Sequence, residues 1–272
     1  MSLADVSVAD DRRAIADRFV ACRLKAQGLS DYPGQAPRSM EDAYAIQAEA
    51  IPMYPGTVVG WKVGGVPPAQ QPTLGVHRLA GAIFDRNVWT AASGDTVDLP
   101  AIEGGFAAVE SEFIARIGAD ADPAKTVWTI EQAAAQIDKM FIGVELAGSA
   151  LSPINDLGSA VVASDFGNNA GLVVGPEVEN WRARLDDLQV ETVINGQSVG
   201  VGGSPSLAGG ALESVRFLLE HCARWGRPLT AGTLVSTGAV TGVHRVVAGD
   251  KASCIFRGVG EIHCSVVRAE AE

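Results

Sequence analysis

The segment FAAVESEFIARI, residues 106–117, is a β-rich apolar run that carries two carboxylates side by side. Glu110 and Glu112 are two residues apart, and no basic residue follows before Arg116. Residues i and i+2 of a strand point to the same side, so both side chains share one face. Two like charges about 6 Å apart repel by about 3 kcal/mol at an effective dielectric near 20. The pair therefore indicates either the solvent-facing side of an antiparallel strand or a binding site for a cation.

Similar short runs lie on both sides of this segment and are broken by Gly, Pro, Asn and Asp. They are TVVGWKV, GAIFDRNVW, KMFIGVELA, GLVVG, TLVSTGAV, VHRVVAGDKASCIF and GEIHCSVV. The spacing also predicts a short helix over 131–140, an Asn-Gly hairpin at Asn195 and Gly196, and a helix over 206–226. Before these runs, Ser39 followed by Asp42 is typical of a helix N-cap. The sequence thus predicts helices first and then a largely β body with two inserted helices.

Composition narrows the classes of protein that this chain can be. Its 272 residues are 47% apolar, enough for one large core, and its net charge is −11 with 21 scattered basic residues. The scatter argues against nucleic acid as the main partner, so an anionic ligand would need positive charge supplied locally. We expect no membrane span and no signal peptide, because no run is long and apolar enough and the first residues lack a basic region followed by an apolar one. The four cysteines show no CxxC spacing, which favours a reduced, cytoplasmic protein.

A third isolated carboxylate and an isolated lysine extend the acidic pair. Glu145 lies in the middle of the apolar run FIGVELAGS, and Lys62 lies in the glycine-rich segment GWKVGG. Three glutamates on two strands would form an open site for Mg²⁺ or Mn²⁺. Lys62 is either a strand lysine that reaches water or a partly desolvated lysine that moves protons. For the second reading we expect burial and a nearby cation to lower its pKa.

Seven short motifs follow one another in the order and spacing of a known family. They are AYAIQ at 43–47, GWKVGG at 60–65, LGV at 74–76, VESEF at 109–113, GVELAGS at 143–149, LVSTGA at 234–239 and AGD at 248–250. The chain thus resembles the 2-keto-4-pentenoate hydratase and 4-oxalocrotonate decarboxylase group of the fumarylacetoacetate hydrolase superfamily. The resemblance implies an α+β fold in a single domain over residues 1–272. In that domain a helical N-terminal region, 1–55, precedes a mixed, rolled, multi-layer β body with inserted helices.

The resemblance also implies roles for individual residues. It assigns the metal, Mg²⁺ or Mn²⁺, to the three glutamates named above and a catalytic role to Lys62. Thr237 and Gly238 match the residues that help hold the substrate carboxylate. Asp165 matches a family aspartate and is a candidate proton-transfer partner of Lys62. His77 and Asn168 are weaker candidates for substrate binding.

The implied activity is a divalent-metal lyase that acts on a short 2-oxo acid through an enolate. Hydration of a 2-hydroxypentadienoate-type substrate ranks first, decarboxylation of a 4-oxalocrotonate type second and C–C hydrolysis third. Two departures from the family pattern matter: ASDFGNNAG at 163–171 replaces a DNAS-type loop, and AGGALES at 208–214 replaces the Gly-His-Pro-Leu-Asn-Ala stretch of the hydratases. The second departure favours a rival interpretation, a non-catalytic partner subunit or ligand-binding member, which the intact glutamates and Lys62 oppose. A homo-oligomer is expected, either alone or with a related decarboxylase or hydratase subunit.

Overall fold

The helices of the protein flank and interrupt a body of two β-sheets. The structure, a computed structural model, describes the backbone of residues 3–272 and the side chains from residue 11 onward. The helices are α1 Leu3–Leu24, α2 Met40–Ala50, α3 Gln71–Leu74, α4 Ile130–Gln136, α5 Ser159–Ser164, α6 Trp181–Arg184 and α7 Gly210–Arg224. The strands are β1 Val58–Gly65, β2 Arg78–Phe84, β3 Val88–Thr90, β4 Thr96–Ala101, β5 Phe106–Ile117, β6 Ile137–Ser149, β7 Asn169–Glu177, β8 Val190–Ile194, β9 Gln197–Gly202, β10 Leu234–Ser236, β11 His244–Arg245, β12 Lys251–Phe256 and β13 Gly260–Arg268.

The larger sheet holds eight strands and the smaller one holds five. The large sheet runs in the order β2-β1-β10-β5-β6-β7-β3, and the two-residue β11 also pairs with β5. Its pairs are mixed: β1 is parallel to β10, whereas β5 and β6 are antiparallel. The second sheet runs β4-β13-β12-β8-β9. This confirms the predicted α+β class with helices first and a mixed, layered β body.

Local signals in the sequence set several boundaries as predicted. The strand predicted over residues 106–117 coincides with β5. The hydroxyl of Ser39 accepts the N–H of Asp42, so the predicted N-cap is confirmed. Asn195 and Gly196 both adopt positive φ between β8 and β9, the conformation that a tight two-residue hairpin requires.

Three predicted elements are shorter than expected. The helix predicted over 206–226 covers only Gly210–Arg224, because Gly209 and Gly210 adopt positive φ and turn the chain into it. In the other two, tertiary contacts override the local pattern. The helix over 131–140 ends at Gln136, since Ile137 pairs with Ile117 and begins β6. The strand predicted over TLVSTGAV covers only β10, because Gly238 turns the backbone with φ of 117° and aims its N–H at a buried carboxylate.

Helix α2 and strand β5 both lie deep in the protein. Helix α2 packs between α1 and α5, and its Gln47 donates to the carbonyls of Ala80 and Ala163. Eleven of the twelve residues of β5 are buried, so both of its faces are covered.

Among residues 3–272, no helix is long and apolar enough to cross a membrane.

Candidate metal centre and adjoining cavity

The three predicted glutamates come together on the buried face of the β5–β6 pair. The register places Glu110 directly opposite Glu145, and Glu112 lies two residues further along β5. One carboxylate oxygen from each residue lies within 4.8 Å of the others. The exposed fractions of Glu110, Glu112 and Glu145 are 5%, 0% and 0%. The alternative of a solvent-facing strand is therefore wrong.

Neighbouring donors orient two of these carboxylates. One oxygen of Glu112, Oε2, accepts the hydroxyl of Ser236 at 2.5 Å and the N–H of Gly238 at 2.8 Å. One oxygen of Glu145, Oε1, accepts the side-chain amide of Asn169 at 2.8 Å. The second oxygen of Glu112, Oε1, is buried without a hydrogen-bond partner, and the second oxygen of Glu145, Oε2, has no well-aligned hydrogen bond and only the Lys62 ammonium beside it. Buried oxygens without donors are costly, and hard divalent cations take carboxylate oxygens as ligands.

Lys62 is the cation nearest to these carboxylates. Its side chain is almost fully buried, and its Nζ lies 3.2 Å from Glu145 Oε2. Burial disfavours the charged ammonium, but the negative charges of Glu145, Glu110 and Glu112 outweigh that cost and raise the pKa of Lys62 above its usual range. Without a cation the three carboxylates thus reverse the lowering that burial alone would cause. The lowering of the Lys62 pKa expected beside a bound cation stays a prediction.

The charges within the cluster do not balance. Burial raises the pKa of Glu110 and of Glu112, with Lys62 opposing that rise and the neighbouring carboxylates adding to it. Three carboxylates against one ammonium leave a deficit of two positive charges if all are ionised. A divalent cation supplies that charge, so the donor set, the orphaned oxygen of Glu112 and the charge balance all fit Mg²⁺ or Mn²⁺.

A cavity of about 700 Å³ opens onto this cluster. It is lined by Lys62 and Glu110 and by four of the residues expected to bind substrate, which are Asn168, Thr237, Gly238 and His77. Their roles in binding stay predictions. Asn168 adopts a positive φ of 64°, and its Oδ1 is buried without a donor, so it is free to accept a hydrogen bond from a ligand. His77 is exposed at the surface, with Nδ1 2.7 Å from the side-chain oxygen of Gln71.

The donors of Thr237 and Gly238 are already engaged. The Thr237 hydroxyl donates to the carbonyl of Phe113 at 2.8 Å, and the Gly238 N–H is held by Glu112. These hydrogen bonds shape the turn after β10 and orient the carboxylate of Glu112. That both residues help to hold a substrate carboxylate stays a prediction.

Asp165 lies outside the residues that line the cavity. Its carboxylate is fully buried and accepts Arg23 Nε at 2.7 Å, Arg23 Nη2 at 2.9 Å and the Ser149 hydroxyl at 2.5 Å. Arg23 also donates to the backbone carbonyls of Asn169 and Gly148. Among the described residues, these donors occupy the carboxylate and no hydrogen bond joins it to Lys62. The catalytic role of Asp165 stays a prediction, and these bonds favour a role in holding the chain around it.

The Arg23–Asp165 pair anchors the segment 165–169, which reaches the metal cluster. Phe166, Gly167 and Asn168 all adopt positive φ there. A Cβ added to Gly81 would lie 1.9 Å from the carbonyl oxygen of Phe166, so only glycine lets this segment approach β2 so closely. The segment then places the Asn169 amide on Glu145.

Sequence reasoning missed several of these contributors. Ser236, Asn169 and Arg23 carry no local signal, because their roles depend on partners in distant parts of the chain. Asn169 stood within a segment already marked as unusual, ASDFGNNAG, which was the one usable hint.

This fold and site define a class: a mixed, curled β protein with a buried carboxylate cluster suited to a divalent cation. The family model described as "Fumarylacetoacetate (FAA) hydrolase C-terminal" matches residues 77–267, well over half of the chain. The protein belongs to this family.

Curated relatives carry the two names that the motifs suggested. The chain is 26% identical over 228 residues to 2-keto-4-pentenoate hydratase of Paraburkholderia xenovorans, covering 82% of each protein. It is also 26% identical over 273 residues to 4-oxalocrotonate decarboxylase of Pseudomonas putida, covering 93% of this chain and 96% of the relative.

Solved structures show the same fold. 4-Oxalocrotonate decarboxylase from Pseudomonas putida G7, complexed with magnesium and adipate, superposes with a TM-score of 0.76 at 22% identity, covering 95% of this chain and 98% of the other. Fumarylpyruvate hydrolase from Pseudomonas aeruginosa, in complex with Mn²⁺ and pyruvate, gives a TM-score of 0.56 at 19% identity, covering 79% and 91% of the two chains.

Proposed function

We propose that this protein is a divalent-metal-dependent lyase that acts on a short 2-oxo acid through an enolate. The observation that carries the proposal is the cluster of three buried glutamates, in which Glu112 Oε1 has no donor and Glu145 Oε2 has only the buried Lys62 beside it. The names of its relatives support the same chemistry, since they are hydratases and a decarboxylase.

Glu110, Glu112 and Glu145 would hold Mg²⁺ or Mn²⁺. When bound, the cation supplies positive charge that polarises the 2-oxo group and stabilises the enolate formed from it. The other contributions come from residues of the protein itself. The hydrogen bonds from Ser236 and Gly238 fix one oxygen of Glu112, so the other is aimed into the cluster without reorganisation during the reaction.

Lys62 is the group placed to carry a proton. It lines the cavity beside Glu110, and no other lysine does so among the described residues. The three carboxylates raise its pKa, so Nζ holds a proton that it can donate to the substrate carbon chain; a bound cation that neutralises the carboxylates would let it take a proton back, as a general acid–base residue must. Asn168 Oδ1, buried without a donor, accepts a hydrogen bond from the hydroxyl of an enol or of a hydrated product.

Hydration and decarboxylation share the enolate and differ in what happens beyond it. Hydration of a 2-hydroxypentadienoate-type substrate is the first candidate. Decarboxylation is the second, because the match to the decarboxylase spans 93% of the chain and because 208–214 lacks the hydratases' histidine and asparagine.

The proposal is tested with purified protein freed of metal by a chelator and then reloaded with Mg²⁺ or Mn²⁺. We expect metal-dependent consumption of 2-hydroxypentadienoate or 4-oxalocrotonate, with product analysis distinguishing hydration from loss of CO₂. Glu112→Gln should remove both metal binding, measured by calorimetry, and turnover. Metal-independent turnover, or unchanged Mg²⁺ binding in the variant, would contradict the assignment of the site.

The rival function, a non-catalytic partner subunit or ligand-binding member, gives a different result. Such a protein would bind Mg²⁺ and oxalate but turn over neither substrate, alone or in a homo-oligomer. The cavity-lining lysine beside the glutamates favours the enzyme.

A further inference from the structure

A second cavity lies on the face of strand β1 opposite to the glutamate cluster. Successive residues of a strand point to opposite faces, so Trp61 points away from the side that carries Lys62. Trp61 lines a pocket of about 140 Å³ and an adjoining, shallower one of about 420 Å³. These two pockets share Ala48, Trp61 and Arg227, and we call them together the rear cavity. Within the described chain, none of their lining residues also lines the cavity beside the glutamates.

Aromatic rings form the walls of the smaller pocket. Tyr44 of α2, Trp61 of β1, and His221 and Trp225 at the end of α7 all line it. The ring centroid of Tyr44 lies 4.5 Å from that of His221 and 5.4 Å from that of Trp225. The hydroxyl of Tyr44 accepts the N–H of Ala80 at 3.0 Å, which fixes the ring in place. Such rings offer flat faces and edges that suit a further aromatic ring.

Three polar groups on this lining are not engaged by the protein. The indole N–H of Trp61, the imidazole of His221 and the guanidinium of Arg227 have no hydrogen-bond or ion-pair partner among residues 11–272. Burial, with Arg224 nearby, lowers the pKa of His221 to about 4, so this ring is neutral near pH 7 and offers one donor and one acceptor. The indole and the guanidinium only donate. The unengaged groups are therefore mostly hydrogen-bond donors.

The charge of the lining has one sign. Among the described residues, Arg227 is the only charged one that lines either pocket at neutral pH. It follows Gly226, which turns the chain at the end of α7 with φ of 67°, and its own N–H donates to the carbonyl of Cys222 at 2.8 Å. In a protein with net charge −11, a lining with one cation and no carboxylate favours an anionic ligand.

We propose that the rear cavity binds a planar aromatic carboxylate, with its ring among Tyr44, Trp61 and Trp225 and its carboxylate on Arg227. A guanidinium presents paired N–H donors that match a carboxylate. The exposed position of Arg227 keeps the charged end of the ligand at the mouth, and the ring fills the apolar interior. This inference is independent of the proposed function, because no residue of the metal centre takes part in it.

The test titrates benzoate into the Mg²⁺-loaded protein by calorimetry, beside two matched probes. Benzamide has the same ring without the charge, and cyclohexanecarboxylate has the charge without a flat ring. We expect saturable binding of benzoate at micromolar to millimolar concentrations, roughly the range open to so small a ligand. It should bind at least about tenfold more tightly than benzamide, because a charge-assisted hydrogen bond distinguishes the two. Cyclohexanecarboxylate should bind several-fold more weakly than benzoate, because it lacks the contact between aromatic rings.

Three variants locate the binding. Arg227→Met changes an exposed residue, so the fold should persist, and the affinity for benzoate should fall to that for benzamide, which stays unchanged. Arg257→Met is the matched control, because it removes an exposed arginine that pairs with Glu191 and lines neither pocket, and it should bind benzoate like the wild type. Trp225→Ala removes a ring that is 39% exposed and should weaken benzoate and benzamide alike.

The outcomes separate this inference from the proposed function. No saturable binding of benzoate up to about 10 mM overturns the inference, and that includes the case of a second copy of the chain covering the cavity. Equal weakening in Arg227→Met and Arg257→Met also overturns it, because the effect is then one of overall charge. Loss of benzoate binding in Glu112→Gln would place the ligand at the glutamates and overturn it as well. Binding that persists in Glu112→Gln and weakens in Arg227→Met supports the rear cavity, whether or not the protein proves to be a metal-dependent lyase.

Discussion

Two clusters of buried charge adjoin the segment 165–169: the Arg23–Asp165 pair, and the three glutamates with Lys62. They differ in whether every charged group has its hydrogen-bond partners. In the first, Asp165 accepts three donors and Arg23 donates to the carboxylate and to three backbone carbonyls. In the second, one oxygen of Glu112 has no donor, and one oxygen of Glu145 has only Lys62 beside it, which is the only cation in contact within the described residues. Both clusters are almost inaccessible to water.

Burial of charge therefore does not by itself identify a functional site. A complete cluster is compensated within the fold and serves to hold a segment in place. An incomplete cluster carries a desolvation cost that the protein alone does not offset, so it indicates a missing ligand. The same comparison favours a positioning role over a catalytic one for Asp165, although this residue matches a family aspartate.

The largest expected effect is on turnover through Lys62. Lys62→Met removes the proton carrier, and turnover should fall by about 10²–10⁴-fold, the usual contribution of a general acid–base group. Binding of Mg²⁺ and oxalate should persist, because the three glutamates are unchanged. Near-normal turnover would show that the acid–base group is elsewhere and that Lys62 only balances charge.

The complete cluster is broken by Arg23→Met. Removing one partner leaves Asp165 buried and uncompensated, so the free energy of unfolding should fall by about 3–5 kcal/mol. Urea denaturation measures this. Arg12→Met, on the same helix, is a matched control because Arg12 pairs with Asp42 where both side chains are partly exposed, and it should cost less than about 1 kcal/mol. Equal losses in the two variants would refute the distinction between the clusters.

Metal binding to the incomplete cluster, the three glutamates with Lys62, should stabilise the folded protein. Adding Mg²⁺ at about 100 times its dissociation constant should raise the free energy of unfolding by about 2.7 kcal/mol, since the ion binds only the folded site. Thermal or urea unfolding with and without a chelator tests this. The same addition should leave Glu112→Gln almost unchanged, whereas a similar gain in that variant would mean that Mg²⁺ binds elsewhere.

The smallest expected effect is on the stability of the Glu112→Gln variant in the absence of metal. In Glu112→Gln the amide oxygen can keep the bonds from Ser236 and Gly238, while the new N–H group meets neighbouring carboxylates in place of an orphaned oxygen. We expect the metal-free variant to be as stable as the wild type or more stable by about 1 kcal/mol. A loss of more than that would show that Glu112 supports the fold without a cation.

The sequence predicted those residues of the site that stand out within their own stretch of sequence. The i, i+2 spacing of Glu110 and Glu112 in an apolar strand required a shared face, and a third lone carboxylate in the run that became β6 completed the set. Lys62 stood out because a charge in a glycine-rich apolar strand is unusual. The order of elements followed in the same way from periodicity, the Ser39 N-cap and the Asn-Gly turn.

What the sequence determined by itself was most of the strands, the Asn-Gly turn and the identity of the charged residues inside the apolar runs, because each depends on neighbours a few residues away. Strand β4, Thr96–Ala101, was not predicted. Tertiary structure alone decided which charges meet. Arg23 and Asp165 lie 142 residues apart, and Arg78 faces a cavity wall formed 130 residues later by Ala208. Such partners depend on strand register and on the path of the segment 165–169 past Gly81, and both are set by packing across the whole chain rather than by any local pattern.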